Sequence, residues 1–144
     1  MSLGATAVAT EANAKSVYES CGFPRAALAF DCVGGRSTTS VAKFLREGGT
    51  VVTYGAMSLQ PVSIPASLLI FRDIRVRGFW WSGRAVQEMG KTGKAAIIDK
   101  VVKLVQEGKL KIRTERMPMS RYRHALAMCR EGYRGTKILL VQDT

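Results

Sequence analysis

The chain has 144 residues, 47% of them hydrophobic and 23% charged, a composition typical of a globular protein large enough to bury one core. Prolines and serines interrupt the longest uncharged stretch, residues 50–71. No apolar run therefore reaches the roughly 18 residues that a membrane-spanning helix needs, and we expect no membrane insertion. The first 15 residues lack the basic and then apolar order of a secretory signal, and no transit peptide is visible in them.

The chain has three widely spaced cysteines and one histidine, His124. Few cysteines in an odd number favour a reducing compartment or an organelle matrix, and they argue against a disulfide framework. Protein zinc sites need three or four ligands at suitable spacing. Because these cysteines and the histidine offer no such spacing, the sequence predicts no metal site.

The net charge of +11 is concentrated in the second half of the chain. Residues 1–71 carry five basic and four acidic residues, whereas residues 72–144 carry seventeen and seven. A positive field of this kind attracts phosphates, nucleic acid, anionic membranes or acidic proteins. The bases are scattered through helical and strand patterns. A solvated basic surface, a phosphate-bearing small ligand and nucleic acid therefore all stay open as interpretations.

In the first half, short apolar runs alternate with helical patterns. Glycines close several of these segments, as is typical of strand ends and helix C-caps. In chain order the pattern predicts a short strand over residues 6–10, a helix that begins after Asn13 and ends at Gly22, a strand over 27–35 buried on both faces, a helix with Val41, Phe44 and Leu45 on one face that ends at Gly48, and a strand over 50–55.

The second half continues this alternation. It predicts a strand over residues 74–80, a helix with a broad apolar stripe over 94–108, an edge strand over 110–117, a helix capped by Ser120, and a strand over 137–141. Strand, helix and strand at the spacing seen in the first half form a βαβ unit, which requires a parallel sheet with helices on its faces. The predicted fold class is therefore α/β, with a doubly wound, Rossmann-like parallel sheet.

Glycines follow three of the predicted strands, within residues 31–35, 54–57 and 78–82. A doubly wound sheet binds its ligands beyond the carboxyl ends of its strands, and glycine permits a ligand to approach the backbone closely. The only two tryptophans, Trp80 and Trp81, lie in the third of these segments. We therefore expect the aromatic cluster to lie where such a protein holds a nucleotide.

At these residues the chain resembles the medium-chain dehydrogenase/reductase superfamily, and within it the mitochondrial trans-2-enoyl thioester reductases. The resemblance is carried by DCVGG, GGTVVTYGAM, SLLIFRDIRVRGFWWS and GTKILLV, in this order along the chain. It implies a mitochondrial protein that uses NADPH to reduce enoyl-CoA or enoyl-acyl-carrier-protein in fatty acid synthesis. Hydride is then transferred to the β-carbon and a proton is added at the α-carbon.

The resemblance also implies which residues meet the cofactor. Tyr54, Gly55, Ala56 and Met57 match the stretch along the nicotinamide half of NADPH, and residues 79–82 match the stretch whose backbone meets the carboxamide. Lys137 matches a late lysine that reaches the cofactor. Against this, the aromatic residues can simply pack between domains or subunits, Tyr54 can be a core residue, and Lys137 can be solvated. The cofactor-binding candidates are Tyr54, Gly55, Ala56, Met57, Phe79, Trp80, Trp81, Ser82 and Lys137.

Two parts of the family pattern do not appear in the sequence. Its glycines do not form the G-x-G-x-x-G turn that receives a pyrophosphate at a helix N-terminus, and no tyrosine lies in the family's catalytic motif. We therefore expect residues 1–144 to form one incomplete NAD(P)-binding-like domain and no catalytic residue to be present. Residues 109–144 are expected to include segments that pack on an N-terminal catalytic domain absent from this sequence, and these should be exposed, swapped or covered by another protein.

Two functions follow from this pattern. The chain can be a fragment or truncated form of an NADPH-dependent 2-enoyl thioester reductase, inactive alone, whose basic half suits CoA phosphates or an acidic carrier protein. It can instead be a non-catalytic subunit of a large organellar assembly, with or without RNA. A homodimer through the sheet edge near residues 68–79 is compatible with both.

Other chemistry has weaker support in the sequence. His124 lies on a predicted helix four residues after Ser120, a spacing that favours helix capping over catalysis, and the cysteines lack a neighbouring acid–base partner. Asp31 at the end of a strand can contact a ribose hydroxyl or be an ordinary part of the core. The arginines and tyrosines of residues 121–134 can contact RNA or form the wet face of an amphipathic helix.

Overall fold

The computed structural model describes residues 4–131 and 135–143. The chain divides into two compact units, the first ending at Ala95 and the second beginning at Ala96. No helix in the described part of the chain is both long and apolar enough to cross a bilayer.

The first unit contains a three-stranded sheet and its connecting helices. In chain order its elements are helix α1 (Ala14–Ser20), strand β1 (Ala26–Asp31), helix α2 (Gly35–Ala42), strand β2 (Leu45–Thr53), helix α3 (Ala66–Arg72), strand β3 (Arg75–Gly78), helix α4 (Arg84–Gln87) and the start of helix α5 (Gly90–Gln106).

The sheet has the strand order β1-β2-β3, and both pairings are parallel. Asp31 pairs with Thr53, and Thr53 pairs with Gly78, so the three strands end at the same edge. Helices connect successive strands, as parallel pairing requires. This arrangement confirms the predicted α/β, Rossmann-like fold class.

A small apolar core lies between the sheet and the helices α2 and α3. Leu45 and Val51 of the central strand are fully buried, and five residues form the cluster: Ala42, Leu45, Val51, Leu68 and Ile74. The two outer strands have open faces, since Leu28 and Phe30 of β1 are 48% and 65% exposed. The prediction that this strand is buried on both faces is therefore wrong for the described chain.

Several elements of the first unit differ from the prediction, and the strands expected over 27–35, 50–55 and 74–80 are Ala26–Asp31, Leu45–Thr53 and Arg75–Gly78. Residues 6–10 form no strand, and Asn13, although it precedes α1, uses its side chain to accept hydrogen bonds from Thr10. Helix α2 ends at Ala42, and Leu45 already pairs with Ala26 in the sheet. Gly48, expected to end the helix, instead lies inside β2 with a φ of 69°, where the register with β1 is irregular.

The second unit contains the rest of α5 and a two-stranded sheet. Strands β4 (Thr114–Pro118) and β5 (Lys137–Val141) are parallel, and between them lie a 3-10 turn (Met119–Arg121) and helix α6 (Tyr122–Arg130). The strands over 110–117 and 137–141 are confirmed, the first being shorter at its start. Ser120 does not cap α6, because it lies in the 3-10 turn and its backbone N–H donates to the Asp143 carboxylate.

Apolar side chains of the second unit remain exposed. Helix α5 has no buried residue, and Leu139 and Leu140 of β5 are 44% and 41% exposed. The two strands pair with each other within this unit. That residues 109–144 pack on a catalytic domain stays a prediction.

Candidate functional site

The three segments that follow the strands meet at one edge of the first unit. The backbone N–H of Tyr54 donates to the carbonyl of Asp31 at 2.9 Å, and that of Phe79 donates to the carbonyl of Thr53 at 2.9 Å. These bonds continue the parallel ladders one step beyond the strands. Tyr54 and Phe79, which begin two of the candidate stretches, therefore follow neighbouring strand ends, as the strand pattern predicts. We call this edge, formed by residues 31–35, 54–60 and 78–83, the carboxyl edge.

The Asp31 carboxylate is buried at this edge, with 3% of the residue exposed. Its Oδ1 accepts the backbone N–H groups of Val33 at 2.9 Å and Gly34 at 3.0 Å. Its Oδ2 accepts the hydroxyl groups of Thr38 at 2.6 Å and Thr53 at 3.3 Å. Both oxygens are therefore engaged within the chain, which disfavours the contact with a ribose hydroxyl that the sequence left open.

The hydrogen bonds decide the ionisation of Asp31. Burial raises the pKa of its carboxyl, but the bonds from Thr38, Gly34, Val33 and Thr53 favour the charged form and together lower the pKa below its ordinary value. A carboxyl whose pKa is lowered by folding stabilises the fold at any pH above its unfolded-state pKa. That contribution is lost as the pH falls through the folded-state pKa.

We therefore expect acid to weaken the fold more steeply in the natural chain than in Asp31→Asn. The measurement is the urea midpoint of both proteins between pH 7 and pH 3. Glu19→Gln is the control, because the Glu19 side chain is 66% exposed, and its curve should parallel that of the natural chain. Parallel curves for all three proteins would show that Asp31 has an ordinary pKa in the folded state.

Tyr54 lies beside Cys32 at the same edge. Its ring meets Phe30 edge to face, with 6.4 Å between the centroids, and 54% of the residue is exposed. A hydrogen bond and an electrostatic interaction with Cys32 raise the pKa of the Tyr54 phenol, with further contributions from burial and from Asp31. Tyr54 is therefore a neutral, partly exposed hydroxyl group at physiological pH.

The loop after β2 is bonded to the turn after β1. The backbone N–H of Met57 donates to the Cys32 carbonyl at 3.1 Å, and both the N–H and the hydroxyl of Ser58 donate to the Val33 carbonyl. The Met57 side chain is 80% exposed. The backbone of this candidate segment is thus fixed while its side chain is free to contact a ligand.

The two glycines of the first segment, residues 31–35, leave room for another loop of the same chain. Gly34 and Gly35 have positive φ angles of 79° and 58°, and a Cβ on either would lie 3.0–3.2 Å from Gln60 and close to the Ser58 hydroxyl. These glycines therefore let the loop after β2 cross the turn after β1. The expectation that they admit a ligand is replaced by this internal contact.

Gly55 and Gly78 differ in the space that surrounds them. A Cβ on Gly55 would lie 2.9 Å from the Cys32 carbonyl oxygen, whereas a Cβ on Gly78 would have no atom within 4 Å. Only Gly78, at the end of β3, therefore leaves open space of the kind that a ligand needs. It directly precedes the aromatic cluster.

The aromatic cluster of residues 79–81 is largely exposed. Phe79, Trp80 and Trp81 are 46%, 71% and 42% exposed. The N–H of Gly83 donates to the Trp80 carbonyl at 2.8 Å and closes a turn, and Gln87 donates to the Ser82 carbonyl at 2.8 Å. Within residues 4–131 and 135–143, no backbone carbonyl accepts a hydrogen bond from the N–H groups of residues 80–82. This segment therefore offers flat apolar rings and free backbone donors together.

Lys137 belongs to the second unit. It begins β5, its backbone N–H donates to the Arg113 carbonyl at 2.9 Å, and the residue is exposed. Its contact with a cofactor stays a prediction, as do the cofactor contacts of the eight candidates in the first unit.

Sequence reasoning missed the residues that organise the carboxyl edge. Thr38 and Thr53 contact Asp31 from seven and twenty-two positions away, and Ser58 bonds the two loops. One local signal existed. Asp31 stands at the end of a strand, just before a turn into a helix, and an aspartate there typically accepts the N–H groups two and three residues later in an Asx turn. The threonine partners carried no such signal.

The sequence profile of the family described as zinc-binding dehydrogenase matches residues 1–97 of this chain. Among the residues that the structure describes, no group of three or more His, Cys, Asp or Glu side chains comes together to hold a metal ion. These residues therefore do not fit the zinc in the family's name.

The chain also matches individual reductases along most of its length. Mitochondrial enoyl-acyl-carrier-protein reductase of Arabidopsis thaliana is 42% identical over 128 residues, which cover 86% of this chain and 34% of the relative. The chain spans about a third of the length of the first curated relatives that it matches.

Solved structures of enoyl thioester reductases share the fold. The Etr1p complex with NADP and crotonyl-CoA and the mitochondrial Etr1p/Etr2p heterodimer from Candida tropicalis are each 31% identical to this chain, with a TM-score of 0.66. Each match covers 85% of this chain and 35% of the other. The chain therefore belongs to the zinc-binding dehydrogenase family of the medium-chain dehydrogenase/reductase superfamily, and it corresponds to the carboxyl-terminal part of those proteins.

Proposed function

We propose that this chain provides the nicotinamide side of the NADPH site of a mitochondrial 2-enoyl thioester reductase. The observation that carries the proposal is the carboxyl edge itself, where the exposed residues Phe79–Trp81 and the fixed loop Tyr54–Met57 follow neighbouring parallel strands. Relatives named mitochondrial enoyl-acyl-carrier-protein reductases and a structural neighbour in complex with NADP and crotonyl-CoA support it.

The residues of the edge fit a nicotinamide ring and its carboxamide. The N–H groups of residues 80–82 can donate to the carboxamide oxygen and so fix the orientation of the ring. Trp80 and Trp81 can exclude water from the reacting face, and the neutral Tyr54 hydroxyl can donate without carrying charge. When bound, NADPH supplies the hydride that reduces the enoyl double bond.

We propose further that the chain does not turn over alone. No G-x-G-x-x-G turn is present in the sequence to hold the pyrophosphate, and the chain spans about a third of the reductases it resembles. The enoyl-CoA or acyl-carrier-protein substrate therefore belongs to a larger protein. The seventeen basic residues of positions 72–144 suit the phosphates of CoA or an acidic carrier protein.

We also propose that the chain pairs with a second copy through β3. This strand ends the sheet, all four of its residues are exposed, and an open edge strand is a surface for further pairing. The neighbour from Candida tropicalis is a heterodimer of two reductase chains.

A titration of the purified chain with NADPH tests the proposed function. We expect saturable quenching of Trp80 and Trp81 fluorescence with energy transfer to the nicotinamide, a weaker response to NADH, and no reduction of crotonyl-CoA. Sedimentation of the same samples should show a dimer.

The free tryptophan N-acetyl amide is the control for absorption by the nucleotide. No saturable response from a folded sample would contradict the reductase proposal and favour the non-catalytic subunit, for which retention of RNA or protein from an organelle extract is the next measurement. A monomer at every concentration would contradict the pairing through β3.

A further inference from the structure

The two loops of the carboxyl edge are held together around one buried side chain. The Asp31 carboxylate accepts hydrogen bonds from the N–H groups of Val33 and Gly34 and so fixes the turn after β1. The carbonyls of that turn, those of Cys32 and Val33, then receive the N–H groups of Met57 and Ser58. The shape of the loop after β2 thus depends on the turn that Asp31 organises.

Thr38 and Thr53 attach this arrangement to the rest of the fold. Thr38 is fully buried in α2, and its hydroxyl donates to Asp31 at 2.6 Å. Thr53 ends β2 and donates to the same oxygen at 3.3 Å. Hydrogen bonds to a charged acceptor are stronger than neutral ones, and a buried donor left without a partner destabilises the fold. Removal of the carboxylate would therefore release several donors at once.

We propose that Asp31 is a positioning residue of the candidate cofactor site. Its carboxylate, held by Thr38, sets the backbone of residues 54–58 without touching a ligand. The inference that this backbone meets a cofactor rests on the proposed function. The inference that Asp31 fixes it rests on the hydrogen bonds alone.

Hydrogen exchange of the Met57 and Ser58 amides is the first test. Asp31→Ala should reduce their protection at least tenfold relative to the amides of β2, and Thr38→Val should act in the same direction. Asp31→Asn should recover much of the protection, because an amide oxygen accepts the same two N–H groups and its nitrogen can donate to the threonine hydroxyls. Thr38→Ser keeps the hydroxyl and should resemble the natural chain.

Ile74→Ala is the matched control for a general loss of stability. Ile74 is 3% exposed and lies just before β3, at the end of the sheet opposite the carboxyl edge. This variant should lower the urea midpoint but leave the ratio of Met57 and Ser58 protection to β2 protection unchanged. Unchanged ratios in both Asp31→Ala and Thr38→Val would overturn the proposal, and if Asp31→Ala does not fold, Thr38→Val alone decides it.

The NADPH titration separates the two proposals. If the natural chain binds NADPH, Asp31→Ala should raise the Kd at least tenfold and Asp31→Asn should restore most of the affinity. Equal affinity in Asp31→Ala, despite lost protection, would overturn the role of Asp31 at the cofactor site. If the natural chain does not bind, the proposed function fails, while the exchange ratios alone support or overturn the positioning of residues 54–58.

Discussion

Replacing Leu45 with alanine is expected to lower the free energy of unfolding by about 2–5 kcal/mol, the range for truncating a large buried aliphatic side chain. Leu45 is fully buried where β2 begins, and it belongs to a core cluster of only five residues. The neighbours in so small a core offer few side chains that can move into the cavity. Marginal stability is common for small domains, so the variant should unfold at markedly lower urea concentration.

Leu59→Ala is the control for this truncation. Leu59 is 89% exposed in the loop after β2, and its loss should change the urea midpoint by an amount close to the experimental error. Both variants remove the same atoms, so the difference between them measures burial. Equal midpoints for the two variants would show that the Leu45 side chain is not in the core.

The second large effect is expected at Gly55. Its replacement with alanine places a Cβ 2.9 Å from the Cys32 carbonyl oxygen and 3.3 Å from the Cys32 Cα. Both are backbone atoms of the residue directly after β1, and the Cys32 carbonyl accepts the Met57 N–H at 3.1 Å, so neither can move far without disturbing the bond between the two loops. We expect a loss of about 1–3 kcal/mol, the usual result of overpacking.

Gly78→Ala is the matched control, because the new Cβ there meets no atom within 4 Å. An alanine in a strand also loses less conformational entropy on folding than a glycine does, so this variant should be as stable as the natural chain or slightly more stable. Urea unfolding followed by circular dichroism measures both. A Gly55→Ala protein as stable as Gly78→Ala would rule out the close approach of the two loops.

Gly55 also shows that a glycine after a strand can have a different role from the one that its sequence pattern indicates. The sequence indicated that glycines after the strands mark a ligand site, and the strands do end together. The structure shows that Gly34, Gly35 and Gly55 instead permit the chain's own loops to cross. A Cβ clash is a relation between two segments, and the pattern of one segment cannot distinguish a ligand from another loop.

The sequence by itself determined the order and type of most elements. Apolar runs that end in glycine predict β1 and β2, and the periodic apolar stripe predicts α5, because strand and helix periods depend on residues within a few positions of one another. Parallel pairing followed from the helix between the first two strands. The motifs that carry the family resemblance are likewise continuous segments.

Only the tertiary structure decided burial and the partners of polar groups. The local pattern predicted a helix that ends at Gly48. In the structure Leu45 pairs with Ala26 of β1, and Gly48 lies inside β2. The buried Asp31 carboxylate accepts hydrogen bonds from Thr38 of α2 and Thr53 of β2. These outcomes depend on contacts between distant residues, whose free energies no local pattern contains.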